Sequence, residues 1–249
     1  MAAAGGASVL AGAINALAGG GTLISFPALI GLGVPAVEAN VTNTVALLPG
    51  YLAGSYAQRD DLRPQLTHAK VLSSVSAAGG LAGSVLLVAL PATAFRAAVP
   101  YLILLSCGLL AFGDRLRPYA SAGRRASAGD RGPTRVEAAA AVFASSVYGG
   151  FFGAGLGIML LAVLSLFSSE SLPKLNALKQ ALSFVINLVA AVFFLFSGKV
   201  VWVLVPIMAV GSLLGGLLGG RLVQVVNGAL LRRVVVLSGV AVAISFWVG

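Results

Sequence analysis

The sequence predicts an all-α polytopic membrane protein. It reads as two four-segment repeats, each beginning with a glycine-interrupted helix, with about eight transmembrane segments in all. Three observations carry this. Of 249 residues, 59% are apolar and only 9% are charged, far short of the roughly 25–35% charged surface of a soluble domain; mean hydropathy is +1.01. Apolar runs of about twenty residues, the length a helix needs to cross a bilayer, recur to the C-terminus, whereas the short alternating segments of a barrel are absent. Finally, a glycine-rich interruption falls at corresponding places in the two halves: AGGGT from Ala18 and GGFFGAGLG from Gly149.

The first apolar segment covers about Ala7 to Leu32 and is broken by Gly19, Gly20 and Gly21, then by Pro27. Glycine weakens a helix and proline removes a backbone donor, and inside a membrane the freed groups need a partner or a protein-lined cavity. A GVPAVE turn leads to a second span from about Ala36 to Tyr56, and a polar segment, Gln58 to Lys70, follows at the interface with His68 in a loop. The third span runs from about Val71 to Leu90, with Gly79, Gly80 and Gly83 forming a smooth strip for close helix packing. The fourth runs from about Phe95 to Phe112. The Gly-, Ser- and Pro-containing stretch after it has no packable face, which divides the chain into a first repeat (1–113), a basic linker (114–135) and a second repeat (136–249).

The second repeat opens on an apolar segment to Phe167 that carries the break at Gly149 to Gly157. It continues with spans at about Lys174 to Phe196, Val200 to Gly219 and Val234 to Val248, with Arg221, Arg232 and Arg233 bracketing an interfacial segment. The repeat is visible by eye. Gly19 and Gly21 match Gly153 and Gly155; after a small insertion Pro35 falls on Pro173 and Ala39 on Ala177; Gly79 and Gly83 match Gly211 and Gly215. An even number of crossings per half makes the halves parallel; interrupted segments that do not cross make them inverted, and both kinds of repeat occur in transporters.

The net charge of +9 does not describe a nucleic-acid groove, because Arg115, Arg117, Arg124, Arg125, Arg131 and Arg135 all sit in the central segment and most other basic residues lie near span ends. That is a topology signal. With eight full crossings it puts the linker and both termini in the cytoplasm. The lone Cys107 excludes intrachain disulfides and two-cysteine redox chemistry, and the N-terminus reads as a retained span rather than a signal peptide. No buried carboxylate pair, metal cluster or Ser-His-acid set lies in the spans, so neither an enzyme, a metal site nor a cofactor is expected. The GAGLG of Gly153 to Gly157 follows no strand and is not a dinucleotide fingerprint.

Candidate site residues cluster at the breaks and at the openings of the following helices. Gly19, Gly20, Gly21 and Thr22 either allow close packing or mark a helix that stops and restarts, with free N–H groups suited to an anion; the repeat at Gly153 and Gly155 favours the second. Asn40, Thr42 and Asn43 open the second span, as caps or as contacts. Asn176, Lys179 and Gln180 occupy the matching region, with Asn187 about two turns deeper. Lys179 either snorkels to the interface or holds a counter-anion in a cavity; Asn187 is interhelical glue or a substrate contact. Glu38 is solvated or carries protons for coupling.

These residues carry a resemblance. AGGGTLISFPALIGLGVPAVEANVTNTVALLPGYLAG from Ala18, GGFFGAGLGIMLLAVLSLF from Gly149 and LNALKQALSFVINLVAAVFFLFSG from Leu175 resemble the sulfite exporter TauE/SafE family over nearly the whole chain. The resemblance implies a secondary transporter, often an exporter, of small anions such as sulfite or organosulfonates, in a bacterial inner membrane. It also implies a path along Gly19, Gly20, Gly21, Asn40, Thr42, Asn43, Gly153, Gly155, Asn176, Lys179 and Gln180. Energy would come from a proton or ion gradient or from substrate flux. The expected partners are a small anion and the lipid bilayer, with a coupling proton or ion and without nucleic acid. A passive anion channel and a non-transporting membrane scaffold remain the alternatives.

Overall fold

The computed structural model describes residues 2–17, 19–126, 134–168, 170–222, 236–237, 239–244 and 246, and the side chains of all of these except 112–126 and 220–222. Every regular element among the described residues is helical. In order they are α1 (Ala2–Leu17), α2 (Thr22–Gly31), α3 (Ala36–Ala57), α4 (Arg59–Leu62), a 3-10 turn (Arg63–Gln65), α5 (Leu66–Ala89), α6 (Ala92–Ala126), α7 (Arg135–Phe151), α8 (Leu156–Phe167), α9 (Leu172–Leu195) and α10 (Val205–Leu222). Three stretches, Arg59–Ala89, Ala92–Ala111 and Leu172–Leu195, are long and apolar enough to cross a membrane, and shorter apolar helices accompany them. The protein is an all-α, multi-pass membrane protein.

Both expected interruptions are real. The first apolar segment divides into α1 and α2, and Gly19 sits between them at φ 82°. The second divides into α7 and α8, with Gly153 and Gly155 at φ 74° and 72°. Each break follows a similar turn: the N–H of Gly19 donates to Ile14 O at 2.9 Å, and that of Gly153 to Tyr148 O at 3.2 Å. Left-handed backbone of this kind is easy only for glycine. Prolines open the helices that follow, with Pro35 at the start of α3 and Pro173 in the first turn of α9, where a missing N–H costs nothing.

Some expected boundaries move. His68 and Lys70 belong to the first turns of α5 rather than to a loop. α6 continues to Ala126, well into the expected linker of 114–135. Its Leu, Arg and Ala residues are good helix formers, and an established helix propagates readily. α7 starts at Arg135, capped by Thr134: the Thr134 hydroxyl accepts from Glu137 N at 3.2 Å and Glu137 accepts from Thr134 N at 2.9 Å. α10 begins at Val205, five residues later than expected, after a turn through Gly198. Arg131, Arg232, Arg233, the interfacial segment and part of the final expected span lie outside the described residues; 236–237, 239–244 and 246 are helical.

The broken pairs do not run straight on. A β-carbon at Gly21 would strike the carbonyl of Ala11, so α2 folds back beside α1. Thr134 and Arg135 at the start of α7 line the same cavity as Phe167 and Ser168 at the end of α8. The two ends of the α7–α8 pair therefore lie on one side of the bundle. Gln65 donates to Lys174 O at 2.7 Å and Asn176 to Gln58 at 2.6 Å, which joins the end of α3 to the start of α9 on that side. Val201 N donates to Thr42 Oγ1 at 2.9 Å on the other.

Glycines set the packing. α5 lies along α7, with Gly79 over Phe143 O and Gly83 over Val147 O; α10 lies along α1, with Gly211 over Gly5 O and Gly215 over Val9 O. Gly12 and Gly150 face the carbonyls of Ser212 and Gly80 in the same way. Small residues at such contacts let backbones approach and gain dispersion where lipid supplies no hydrophobic drive. α10 also packs on α3, where Ser212 donates to Ala46 O at 3.0 Å, and α5 packs on α9. Edge-on ring pairs, Phe26–Phe152 at 5.4 Å and Phe95–Phe151 at 5.6 Å, fix the second break against α2 and α6.

Candidate functional site

The two breaks meet at the centre of the bundle. Gly19 and Gly157 face each other so closely that a β-carbon on either would fall on the α-carbon of the other. The starts of α2 and α8, helix ends whose first N–H groups lack intrahelical acceptors, thereby come together. Asn15, one turn before the first break and 3% exposed, accepts from Gly21 N through its side chain at 2.7 Å.

Lys179 points into this junction. It lies two turns into α9, its side chain is buried, and its aliphatic stem lies next to Gly157. Its Nζ donates to Asn15 O at 3.5 Å. Of the two sequence readings, the structure therefore gives the interior one: the ammonium does not reach the interface. Glu38, Asp60, Asp61 and Glu137 lie in the first turns of their helices, and Glu170 lies between α8 and α9.

A polar seam runs on from Lys179 between α3 and α9. The Gln180 amide packs on Gly54, which also faces Ala16. Further along, the hydroxyl of Tyr51 lies beside the side chains of Thr22 and Asn187. The pairs Gly54–Gln180 and Tyr51–Asn187 show that the two helices are antiparallel. Asn187 donates to Ser183 O at 2.8 Å. Thus Gly19, Gly21, Thr22, Lys179, Gln180 and Asn187 gather around the breaks, with Gly20 facing Leu110 of α6.

The remaining expected residues fall elsewhere. Asn40 donates to Phe151 O at 3.0 Å and so closes the C-terminal end of α7. Thr42 holds the turn after α9 through Val201, and Asn176 is bonded to Gln58. Asn43 is buried, eight residues and about 12 Å along α3 from Tyr51. Gly153 and Gly155 shape the second break, whose Ala154 carbonyl accepts from Tyr148 Oη at 2.7 Å and Ser106 Oγ at 2.9 Å.

Asn15 and Tyr51 were missed by sequence reasoning. Asn15 carried a weak signal as the one amide side chain of α1. Tyr51 carried none, because its polar neighbours come from α2 and α9. A separate cavity of about 400 Å³ lies at the loop ends of α5, α7 and α8, lined by Thr67, His68, Val71, Val142, Arg135 and Phe167 among others.

Comparison with known proteins is consistent across the chain. The family model for the sulfite exporter TauE/SafE matches residues 4–246. A probable membrane transporter protein of Sinorhizobium sp. is 29% identical over 242 residues, covering 96% of this chain and 88% of that protein. One of Haemophilus influenzae is 30% identical over 231 residues, covering 90% and 85%, and one of Escherichia coli is 27% identical over 230 residues, covering 92% and 83%. No solved structure matches.

Proposed function

The chain belongs to the sulfite exporter TauE/SafE family, small membrane anion transporters rather than enzymes, and from that premise we propose that it is a secondary transporter exporting sulfite or a small organosulfonate across the bacterial inner membrane. One observation carries the reading: a buried ammonium, Lys179, is aimed at the junction of two broken helices. Their starts supply backbone donors and a favourable dipole for an anion. Thr22, Tyr51 and Asn187 add neutral hydrogen-bonding groups beside it. The contact of Gly19 with Gly157 closes the centre, which favours a carrier with alternating access over an open pore. Coupling comes from a proton or ion gradient, or from substrate flux.

The fold-back of α2 and α8 supports two repeats of opposite orientation, each a re-entrant pair followed by three crossings. That parity also tidies the charge pattern. Arg59, Arg63, Lys70, Arg135, Lys174, Arg221 and the arginines ending α6 fall on one side, leaving Arg96 and Lys199 on the other. By the positive-inside rule the linker side is cytoplasmic, and both termini lie on the opposite side, not in the cytoplasm as eight crossings imply. In this reading 1–113 and 136–249 are the two repeats and 114–135 lies between them, with α6 extending into the middle segment.

The test is efflux of labelled sulfite from proteoliposomes. Wild type is expected to give saturable flux, Lys179→Ala at least a tenfold loss, and Lys179→Arg an intermediate rate. Equal flux from wild type and Lys179→Ala overturns the assignment.

A further inference from the structure

Seven buried side-chain atoms have no hydrogen-bond partner among the described residues, and four of them belong to three side chains of α5 and α9, two of these within four residues of Lys179: Ser76 Oγ, Ser183 Oγ, and Nε2 and Oε1 of Gln180. Gln180 and Ser76 are fully buried and Ser183 is 1% exposed. Gln180 and Ser183 are three apart on α9 and share a face. α5 runs parallel to α9, since Gln65 bonds Lys174 while Gly80 packs on Ile186. Ser76, one turn before Gly80, therefore stands level with Ser183. Gly54 lets the Gln180 amide, and Gly80 the Ile186 backbone, pack directly on the helices that flank α9.

Buried polar atoms are nearly always satisfied, and orphaned ones in a group ask for a bound molecule. We propose that Ser76, Gln180 and Ser183 form a neutral polar subsite that receives the uncharged end of the substrate. The substrate is then a small organic oxyanion carrying a hydroxyl or amide group near its charged end. The inference rests on the anion site at Lys179 and extends it. An amide and two hydroxyls both donate and accept, as an alcohol or carboxamide does. A cation is disfavoured so near the Lys179 ammonium, and the cluster supplies no charge to balance a second anionic group. A substrate lacking the neutral group leaves buried partners unmatched, the situation that gives polar sites their strong discrimination.

The experiment measures inhibition of labelled sulfite transport in proteoliposomes by ethanesulfonate and by 2-hydroxyethanesulfonate. The hydroxylated compound is expected to inhibit at a concentration about tenfold lower or better. That ratio is expected to fall toward one in Ser183→Ala and in Gln180→Leu, each checked for a monodisperse fold, with Ser76→Ala as a third variant should either fail to fold. Equal inhibition by the two sulfonates in wild type means that the seam holds water only and overturns the subsite, while leaving the Lys179 site standing. A hydroxyl preference that persists in the folded variants also overturns it. Failure of the underlying anion site shows differently, as sulfite flux indifferent to Lys179→Ala.

Discussion

Gly19 and Gly157, one from each broken helix pair, touch through their α-carbons, and neither position has room for a methyl group. Gly19 also has φ 82°, a conformation that side chains resist. Alanine at either position is expected to lower stability by about 2–3 kcal/mol, from strain and backbone displacement. Gly108→Ala, where a β-carbon meets nothing within 4 Å, is the control and is expected to be neutral or slightly stabilising. Thermal melts of the purified proteins in detergent compare them. Indistinguishable melts for Gly157→Ala and Gly108→Ala would show that the two breaks do not touch.

Tyr51→Phe keeps the ring and its packing while deleting the hydroxyl that lies beside Thr22 and Asn187. Transport is expected to fall about tenfold, the loss of roughly one good hydrogen bond, with the melting temperature nearly unchanged. A variant that melts early but transports normally once folded would make Tyr51 a packing residue instead.

Asn40 and Thr42 each hold backbone: one closes the end of α7, the other the turn after α9. Asn40→Ala and Thr42→Val are each expected to cost about 1 kcal/mol of stability and to leave the KM for sulfite unchanged. A raised KM without loss of stability would return them to the substrate path.

The re-entrant parity is tested by cysteine labelling in whole cells, with Cys107 replaced by Ala. Phe196→Cys, on an 86% exposed position just after α9, is expected to react with a membrane-impermeant maleimide added outside. Thr67→Cys, exposed near the start of α5, is expected to react only after the cells are opened. The reverse pattern would invert the molecule, and labelling of both from one side would break the parity.

Much of this architecture was legible because it is written in residue types with few alternative uses. Glycine at Gly19, Gly153 and Gly155 marks left-handed turns, and the Gly79/Gly83 and Gly211/Gly215 strips mark matching helix contacts. Helical character was legible from length and hydropathy. Whether Lys179 faced inward was not, because a lysine two turns into a helix can snorkel, and its burial depends on a break more than 150 residues away in the chain. Parity was hidden for a related reason. An apolar stretch from Val136 to Phe167 reads the same whether it crosses or doubles back, and the proposal that it doubles back rests on the cavity that Arg135 and Ser168 share.

The crossed partnership of α5 with α7 and of α10 with α1 has a mechanical consequence. Each sequence half lends a long helix to the other, so the two halves interlock. α1, α3 and α10 pack together, as do α5, α7 and α9, and α3 against α9 joins the two groups. Two fragments cut within the basic middle segment and expressed together are expected to find each other and co-purify.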